Sequence, residues 1–354
     1  MKTLKFVAPE LSGSGGTETV FRKVLLNLAD DYHIILYLTN QPDDQTWLKN
    51  LKANTNIEIH SCQHDKLSKM IYLSNIFIKA KRDDHFIISG VNIILFAANI
   101  RRLFCRHYQI TSWIHYSLDH QSMFNPQVLT RADNHWAISS AVKRSLEQLG
   151  ISSDQIKLIY NPIEPVSETN QPDQSGMLKL VYVGRLQLHD QKNLSELLQA
   201  VNAYHSETQL TLFGHARNQE AFEKAVINSR HDSHAEIRIH QWTPDPWSVI
   251  LDEIHPQALV LTSKFEGLPM VMLEAISRGI PVITSKFSGY DDIIQEKVNG
   301  VSYHSGNIKE LQKCFDIAQS INWDSQTIKQ SINKFYNEHY FNHLRDVLNE
   351  SANN

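Results

Sequence analysis

Short apolar runs that alternate with helical patterns constrain this chain more than any other feature. LKFVAP (4–9), HIILYLT (33–39), HFIISG (85–90), QITSWIHYS (109–117), NHWAISS (134–140) and QIKLIYNPI (155–163) have the composition of buried strands. TETVFRKVLLNLAD reads as the first helix, with Thr17 as its expected N-cap and Glu18 in its first turn. A polar, proline-bearing stretch at 164–176 lacks any apolar period and reads as an interdomain linker. The alternation then restarts with KLVYVGR (179–185), a helix over 193–205, QLTLFGH (209–215), EIRIHQW (236–242) and ALVLTS (258–263). Strands separated by helices build a parallel sheet covered on both faces. Two such series predict an α/β protein of two Rossmann-like, doubly wound domains, 1–165 and 166–334, facing each other across a cleft. A length of 354 residues is comfortable for two cores. In sheets of this kind ligands bind beyond the carboxyl ends of the strands.

Composition narrows the function classes. The net charge of −4 gives no global nucleic-acid signal. Three widely spaced cysteines, Cys62, Cys105 and Cys314, supply neither a disulfide framework nor zinc-ligand spacing, which fits a reducing cytosol. The first residues break early into glycines and do not read as a signal peptide. No window approaches the roughly 18 apolar residues of a membrane span. The expectation is a cytoplasmic protein.

The densest chemistry lies in KFEGLPMVMLEAISRGIPVITSKFSGYDDII, 264–294. EGLP reads as a turn opening a helix at about Pro269, because proline suits a first helical position. The helix then runs over 270–277 and stops near Gly279. A helix start presents free backbone N–H groups and positive dipole charge, so Gly267, Leu268, Pro269, Met270 and Val271 form a candidate anion site. Glu274 sits one turn further in, where it could reach a ribose hydroxyl pair. Glu266 sits on the loop, where it could meet a sugar. The arrangement suits a sugar nucleotide. Two glutamates at this spacing are more often an ordinary surface pair; the strand–EGLP–helix–Gly–strand setting is what gives them weight.

Other candidates are less specific by themselves. The glycine-rich loop at 12–16, including Gly15 and Gly16, allows close backbone approach to a ligand, or is simply a tight turn. Arg185 follows a strand and Lys192 lies seven positions on, a fork and a point charge suited to phosphate oxygens, or solvated surface cations. His115 stands at a strand end, one of 18 histidines. HQWTPDPW places two tryptophans beside prolines, either for loop packing or for a base.

Taken in order, SGSGGTETV, WIHYSLDH, ADNHWAISS, LIYNPI, YVGRL…QKN, the W-x-x-x-PW loop and FEGLPMVMLEA resemble the retaining glycosyltransferases of family 4. The set looks most like the branch containing the lipopolysaccharide α-1,6-galactosyltransferase. The resemblance implies the GT-B fold and a last helix, about 335–354, that packs back on the first domain. It implies that Glu274 holds the nucleotide ribose and Glu266 contacts the transferred sugar. By the same resemblance Arg185 and Lys192 serve the leaving diphosphate, and Gly15 and Gly16 lie against the donor. His115 binds a sugar hydroxyl, and Trp242 lies by the uracil with Phe213 nearby. Asp119 and His120 are weaker candidates for acceptor contacts. LFGHARN departs from the G-x-G turn commoner in that family. No Asp-x-Asp metal motif appears, so the expectation is a metal-independent enzyme with no cofactor. It would move a hexose, first galactose, then glucose or an N-acetylhexosamine, from a UDP-sugar to a hydroxyl of a cell-surface glycan or lipid-linked saccharide. Two alternatives stay open: a non-catalytic glycosyltransferase-like partner protein, and another sugar-nucleotide enzyme on the same fold.

KLSKMIYLSNIFIKAKR (66–82) mixes apolar residues with Lys66, Lys69, Lys79, Lys81 and Arg82, and RRLFCRH (101–107) adds local basic character. Such a helix either lies on anionic lipid at the inner face of the cell membrane or is a core helix with a solvated face.

Overall fold

A computed structural model describes every residue except 10, 12–15, 43, 63–64, 120–123, 174, 230–234, 241–242, 244 and 354, with backbone alone at 351–353. The chain divides into two units, Met1–Pro162 with Glu338–Asn354, and Ile163–Asn337.

The first unit holds seven strands: β1 (Thr3–Ala8), β2 (His33–Leu38), β3 (Ile57–Ser61), β4 (His85–Ile88), β5 (Gln109–Trp113), β6 (Asn134–Ala137) and β7 (Ile156–Leu158). They form one sheet in the order β3-β2-β1-β4-β5-β6-β7, every adjacent pair parallel. The second unit holds β8 (Leu178–Val183), β9 (Thr208–Phe213), β10 (Ala235–His240), β11 (Ala258–Leu261), β12 (Val282–Ser285) and β13 (Gly300–Tyr303). Their order is β10-β9-β8-β11-β12-β13, again all parallel. Each sheet therefore reverses its winding once, between β1 and β4 and between β8 and β11. Crevices beyond the strand ends at such reversals are where open α/β sheets bind ligands.

Central strands are apolar throughout because helices cover both faces; all four residues of β11 are buried. Edge strands show the contrast. In β3, IEIHS, only Ile57 is buried.

The strands end earlier than the sequence reading expects. β5 stops at Trp113 rather than 117, β6 at Ala137 rather than 140, and β7 at Leu158 rather than 163. The loops that follow are themselves apolar and buried, with Ile114, Ile138 and Ile159 almost fully enclosed, so an apolar run overstates strand length there. The first helix is Gly16–Leu28, which places Thr17 inside it rather than at its cap. β3, β13 and the helices Val91–Leu103 and Ile308–Ser320 have no counterpart in the sequence reading.

The stretch at 164–176 is tied down along the second unit. Lys329 Nζ donates to the Glu168 carbonyl at 2.8 Å, Asn170 Nδ2 to the Pro256 carbonyl at 2.8 Å, and Gln257 Nε2 to the Asp173 carbonyl at 2.6 Å. The last helix, Asn337–Asn353, is fastened within the first unit. Arg345 Nε meets Asp31 at 2.7 Å, and Lys157 Nζ meets Glu350 at 2.8 Å. Among the described residues no helix is long and apolar enough to cross a membrane.

Candidate active site

The loops leaving β8 and β11, on either side of the reversal in the second sheet, carry the charged groups. β8 runs into Gly184 and Arg185. The Tyr182 hydroxyl donates to the Arg185 carbonyl at 2.8 Å and fixes the turn. Gly214, at the end of β9, has φ of +154°, and a Cβ there would lie 1.9 Å from the Gly184 carbonyl oxygen. This close approach of two strand ends explains the single glycine in LFGHARN.

The loop then returns Gln191 and Lys192 beneath the end of β11. The Lys264 amide donates to the Gln191 carbonyl at 2.8 Å, and the Thr262 hydroxyl donates to the Lys192 carbonyl at 2.9 Å. These bonds deliver four side chains to one network. Lys192 Nζ donates to Glu266 Oε1 at 2.6 Å, and both side chains are largely enclosed, 13% and 9% exposed. Gln191 Nε2 donates to Glu266 Oε2 at 3.2 Å and to the Phe265 carbonyl at 3.0 Å. Arg185 Nη2 donates to Gln191 Oε1 at 2.8 Å. The neutral amide of Gln191 thus links a guanidinium on one side to a carboxylate on the other. Sequence reasoning singled out Arg185, Lys192 and Glu266 but not Gln191, since a lone glutamine in a polar loop carries no charge or periodicity signal.

Gly267, Leu268 and Pro269 lead into the helix Met270–Ile276. Pro269 is the cap, with extended backbone at φ −73° and ψ 102°, so the helix starts one residue later than the expected proline position. No side chain caps it, which leaves the Met270 and Val271 end of the helix to its own backbone N–H groups.

Glu274 lies on the next turn. Its Oε2 accepts from the Trp247 indole Nε1 at 3.2 Å. Arg278 donates to the Glu274 carbonyl at 3.0 Å and places its guanidinium 4.7 Å from the Trp247 ring centre. Trp247 is itself held by Asp245, whose carboxylate caps the helix Pro246–Val249. The tryptophan pair flagged in the sequence therefore contributes Trp247 as a clamp on Glu274, while Trp242 lies outside the described residues. Phe213 is almost fully buried and stacks on His240 at 4.7 Å, so its ring packs the strand end rather than offering an open face to a base.

In the first unit, Gly16 begins the helix that follows β1, whereas Gly15 lies outside the described residues. His115 follows β5, packed edge-on to Trp113 at 4.3 Å and against Phe21 at 5.4 Å. Both ring nitrogens are shut off from solvent without a hydrogen-bond partner among the described residues. Desolvation holds its pKa down to about 3, so the ring is neutral near pH 7. A buried neutral imidazole can both donate to and accept from a ligand hydroxyl. Asp119 accepts from the Ser145 hydroxyl at 3.0 Å, and His120 lies outside the described residues. Among the described residues no group of three or more His, Cys, Asp and Glu side chains is placed to hold a metal ion.

Comparisons with known proteins show the family and the fold. Residues 168–331 match the family model described as glycosyl transferases group 1. The chain is 31% identical to the lipopolysaccharide 1,6-galactosyltransferase of Escherichia coli K12 over 98% of its own length and 97% of the relative's. The apo structure of the lipopolysaccharide outer core galactosyltransferase WaaB superposes with a TM-score of 0.83 at 29% identity, covering 99% of each chain. Anabaena HepE, solved in complex with UDP, gives a TM-score of 0.78 at 16% identity over 99% of this chain and all of that one, a likeness of fold alone. The fold is GT-B.

Proposed function

Because the chain belongs to the glycosyl transferases group 1 family and is a glycosyltransferase, we propose that it moves a hexose from UDP to a saccharide hydroxyl, retaining the anomeric configuration. The observation that carries this reading is the network Arg185–Gln191–Glu266–Lys192, with Glu274 clamped eight residues beyond Glu266. Glu274 takes the ribose hydroxyls. Arg185, Lys192 and the open helix start at 267–271 take the diphosphate. Glu266 takes the hexose, and His115 offers a neutral ring to a sugar hydroxyl.

A phosphate arriving here competes with Glu266 for Lys192. As the bond from C1 to the phosphate oxygen breaks, charge develops on the diphosphate, where two fixed cations stabilise it. C1 passes through an oxocarbenium-like state. The acceptor oxygen bonds to C1 on the face the phosphate leaves, and its proton passes to the departing phosphate oxygen. With cations and backbone N–H groups aimed at the diphosphate, the reaction runs without a metal or cofactor. The name of the full-length Escherichia coli relative supports galactose as the sugar and a lipopolysaccharide-like, lipid-linked glycan as the acceptor. The enzyme works in the cytoplasm, in peripheral contact with an anionic membrane.

The test is a panel of UDP- and GDP-sugars in a thermal-shift assay with donor hydrolysis followed in parallel. Stabilisation by UDP and by one UDP-hexose, with slow release of that sugar, is expected. Response to no nucleotide sugar would overturn the reading.

A further inference from the structure

Asn193 follows Lys192 directly and departs twice from what its position ordinarily does. It caps the helix Leu194–Asn202, yet its backbone is left-handed, φ +50° and ψ 41°, and its side chain makes no capping bond. A capping asparagine ordinarily has extended backbone and turns its side-chain oxygen to an N–H of the first turn. Here the loop itself meets those groups: the Leu194 amide donates to the Gln187 carbonyl at 2.9 Å, and the Ser195 amide to the Leu188 carbonyl at 2.8 Å. The Asn193 amide is left for another partner, and its Nδ2 donates to the Glu196 carboxylate in the first turn of the helix. Glycine would take the left-handed turn without strain but would lack this amide.

Glu196 is buried, 5% exposed, and its hydrogen-bond partners are uncharged. Besides the Asn193 amide, its carboxylate accepts from the Ser305 hydroxyl at 3.2 Å and from the Gly306 backbone N–H at 2.8 Å. The Tyr303 hydroxyl beside it is held neutral, its pKa raised first by burial and then by the Glu196 charge. The helix start offers this carboxylate favourable dipole charge. Even so, enclosing it carries a desolvation cost that an apolar side chain would avoid. What the carboxylate does, and an apolar residue could not, is join two separate segments. Ser305 and Gly306, 109 and 110 residues away, lie in the turn that leaves β13. Asn193 closes the loop whose Lys192 meets Glu266 at 2.6 Å. Glu196 therefore fastens the back of the site loop to the exit of an edge strand.

We propose that Glu196 is a positioning residue: by holding the Asn193 amide it locks the left-handed turn after Lys192 and keeps that ammonium aimed at Glu266 and at the donor diphosphate. The proposal rests on the diphosphate-binding role given to Lys192 above. Two variants of the full chain test it. Asn193→Gly keeps the turn accessible and deletes the tether. Glu196→Gln keeps the shape and leaves one oxygen for three donors. Acetylation of Lys192 by an N-hydroxysuccinimide ester, read by peptide mass spectrometry, should quicken about fivefold in each, as loss of one hydrogen bond to a charged group allows. In UDP-galactose hydrolysis, kcat should fall about 10-fold through misplacement of the ammonium. In a Lys192→Ala background the same substitutions should cost less than about twofold, because the group they position is gone. Ser305→Ala loosens the carboxylate only on the β13 side and should leave both readouts within about twofold of wild type. Lys192 acetylation at the wild-type rate, or kcat losses that add in full to that of Lys192→Ala, would overturn the positioning role and leave Glu196 a contact of the fold. Where Glu196→Gln does not fold, Asn193→Gly decides. A wild-type protein that does not bind UDP would strike the donor reading, and Lys192 acetylation would still decide this one.

Discussion

Replacing Glu266 by glutamine separates the two tasks of this carboxylate. Lys192 and Glu266 meet at 2.6 Å with side chains only 13% and 9% exposed. Truncating one partner of a buried ion pair costs about 3–5 kcal/mol. Glutamine keeps the shape and one acceptor oxygen, so Glu266→Gln should cost less, about 2 kcal/mol. For a unit of roughly 150–250 residues that lowers Tm by about 4–8 °C. UDP should reverse the loss, because its diphosphate gives Lys192 the anion that the variant lacks. The thermal shift produced by saturating UDP should therefore be larger in Glu266→Gln than in the wild type, with UDP affinity equal or tighter. Turnover should still fall about 100-fold or more, as when one group facing the developing charge is lost. The assay is differential scanning fluorimetry with and without UDP, beside calorimetric titration and steady-state turnover. An affinity for UDP that drops as far as in Glu274→Gln, or an unchanged Tm without UDP, would refute the reasoning.

Gln191→Leu removes the amide between Arg185 and Glu266 at constant volume. It should lower kcat about 10- to 100-fold through misplacement of both groups, while Gln191→Glu restores little because it repels Glu266; equal kinetics in wild type and Gln191→Leu would refute the bridge. Trp247→Phe keeps the ring under Arg278 but deletes the indole donor to Glu274. UDP affinity measured by titration should weaken about 5- to 10-fold with kcat within about twofold. Burial lowers the pKa of His85 and His135 to about 4 and of His115 to about 3, with the Asp133 carboxylate offsetting part of the effect at the first two. These rings are neutral in the fold but take protons below about pH 6.5 when unfolded, so their stability is present above that pH and lost as pH falls towards 4. The unfolding free energy from urea titrations should drop between about pH 7 and about pH 5, by about 1.4 kcal/mol per pH unit for each extra proton bound by the unfolded chain. A flat profile would contradict their burial.

The sequence reading caught what charge and periodicity encode. Apolar runs located the central strands, and the EGLP context located the helix carrying Glu274. It missed β3, whose alternating IEIHS lies at a sheet edge and lacks a continuous apolar run, and β13, a strand of only four residues. Strand ends were overrun because buried loops such as the one at Ile114 are as apolar as the strands they leave. In the site, the acids and cations were legible because ionic groups at strand ends need a reason to be there. Gln191 and Arg278 were not, and Trp247 was flagged without its role, because such roles depend on partners brought in from distant positions: Gln191 meets Glu266 across 75 residues, and Trp247 meets Glu274 across 27. His115 shows the reverse. The histidine was visible, but its neutrality comes from the enclosure built by Phe21 and Trp113.

The central claim, hexose transfer from UDP with retention and without a metal, is tested most directly by the anomer first released. Proton NMR of donor turnover on a UDP-α-hexose, with and without a chelator, reads it before mutarotation blurs the signal. The account predicts the α-anomer first, at a rate the chelator leaves unchanged. A first-formed β-anomer, or turnover abolished by the chelator, would contradict it.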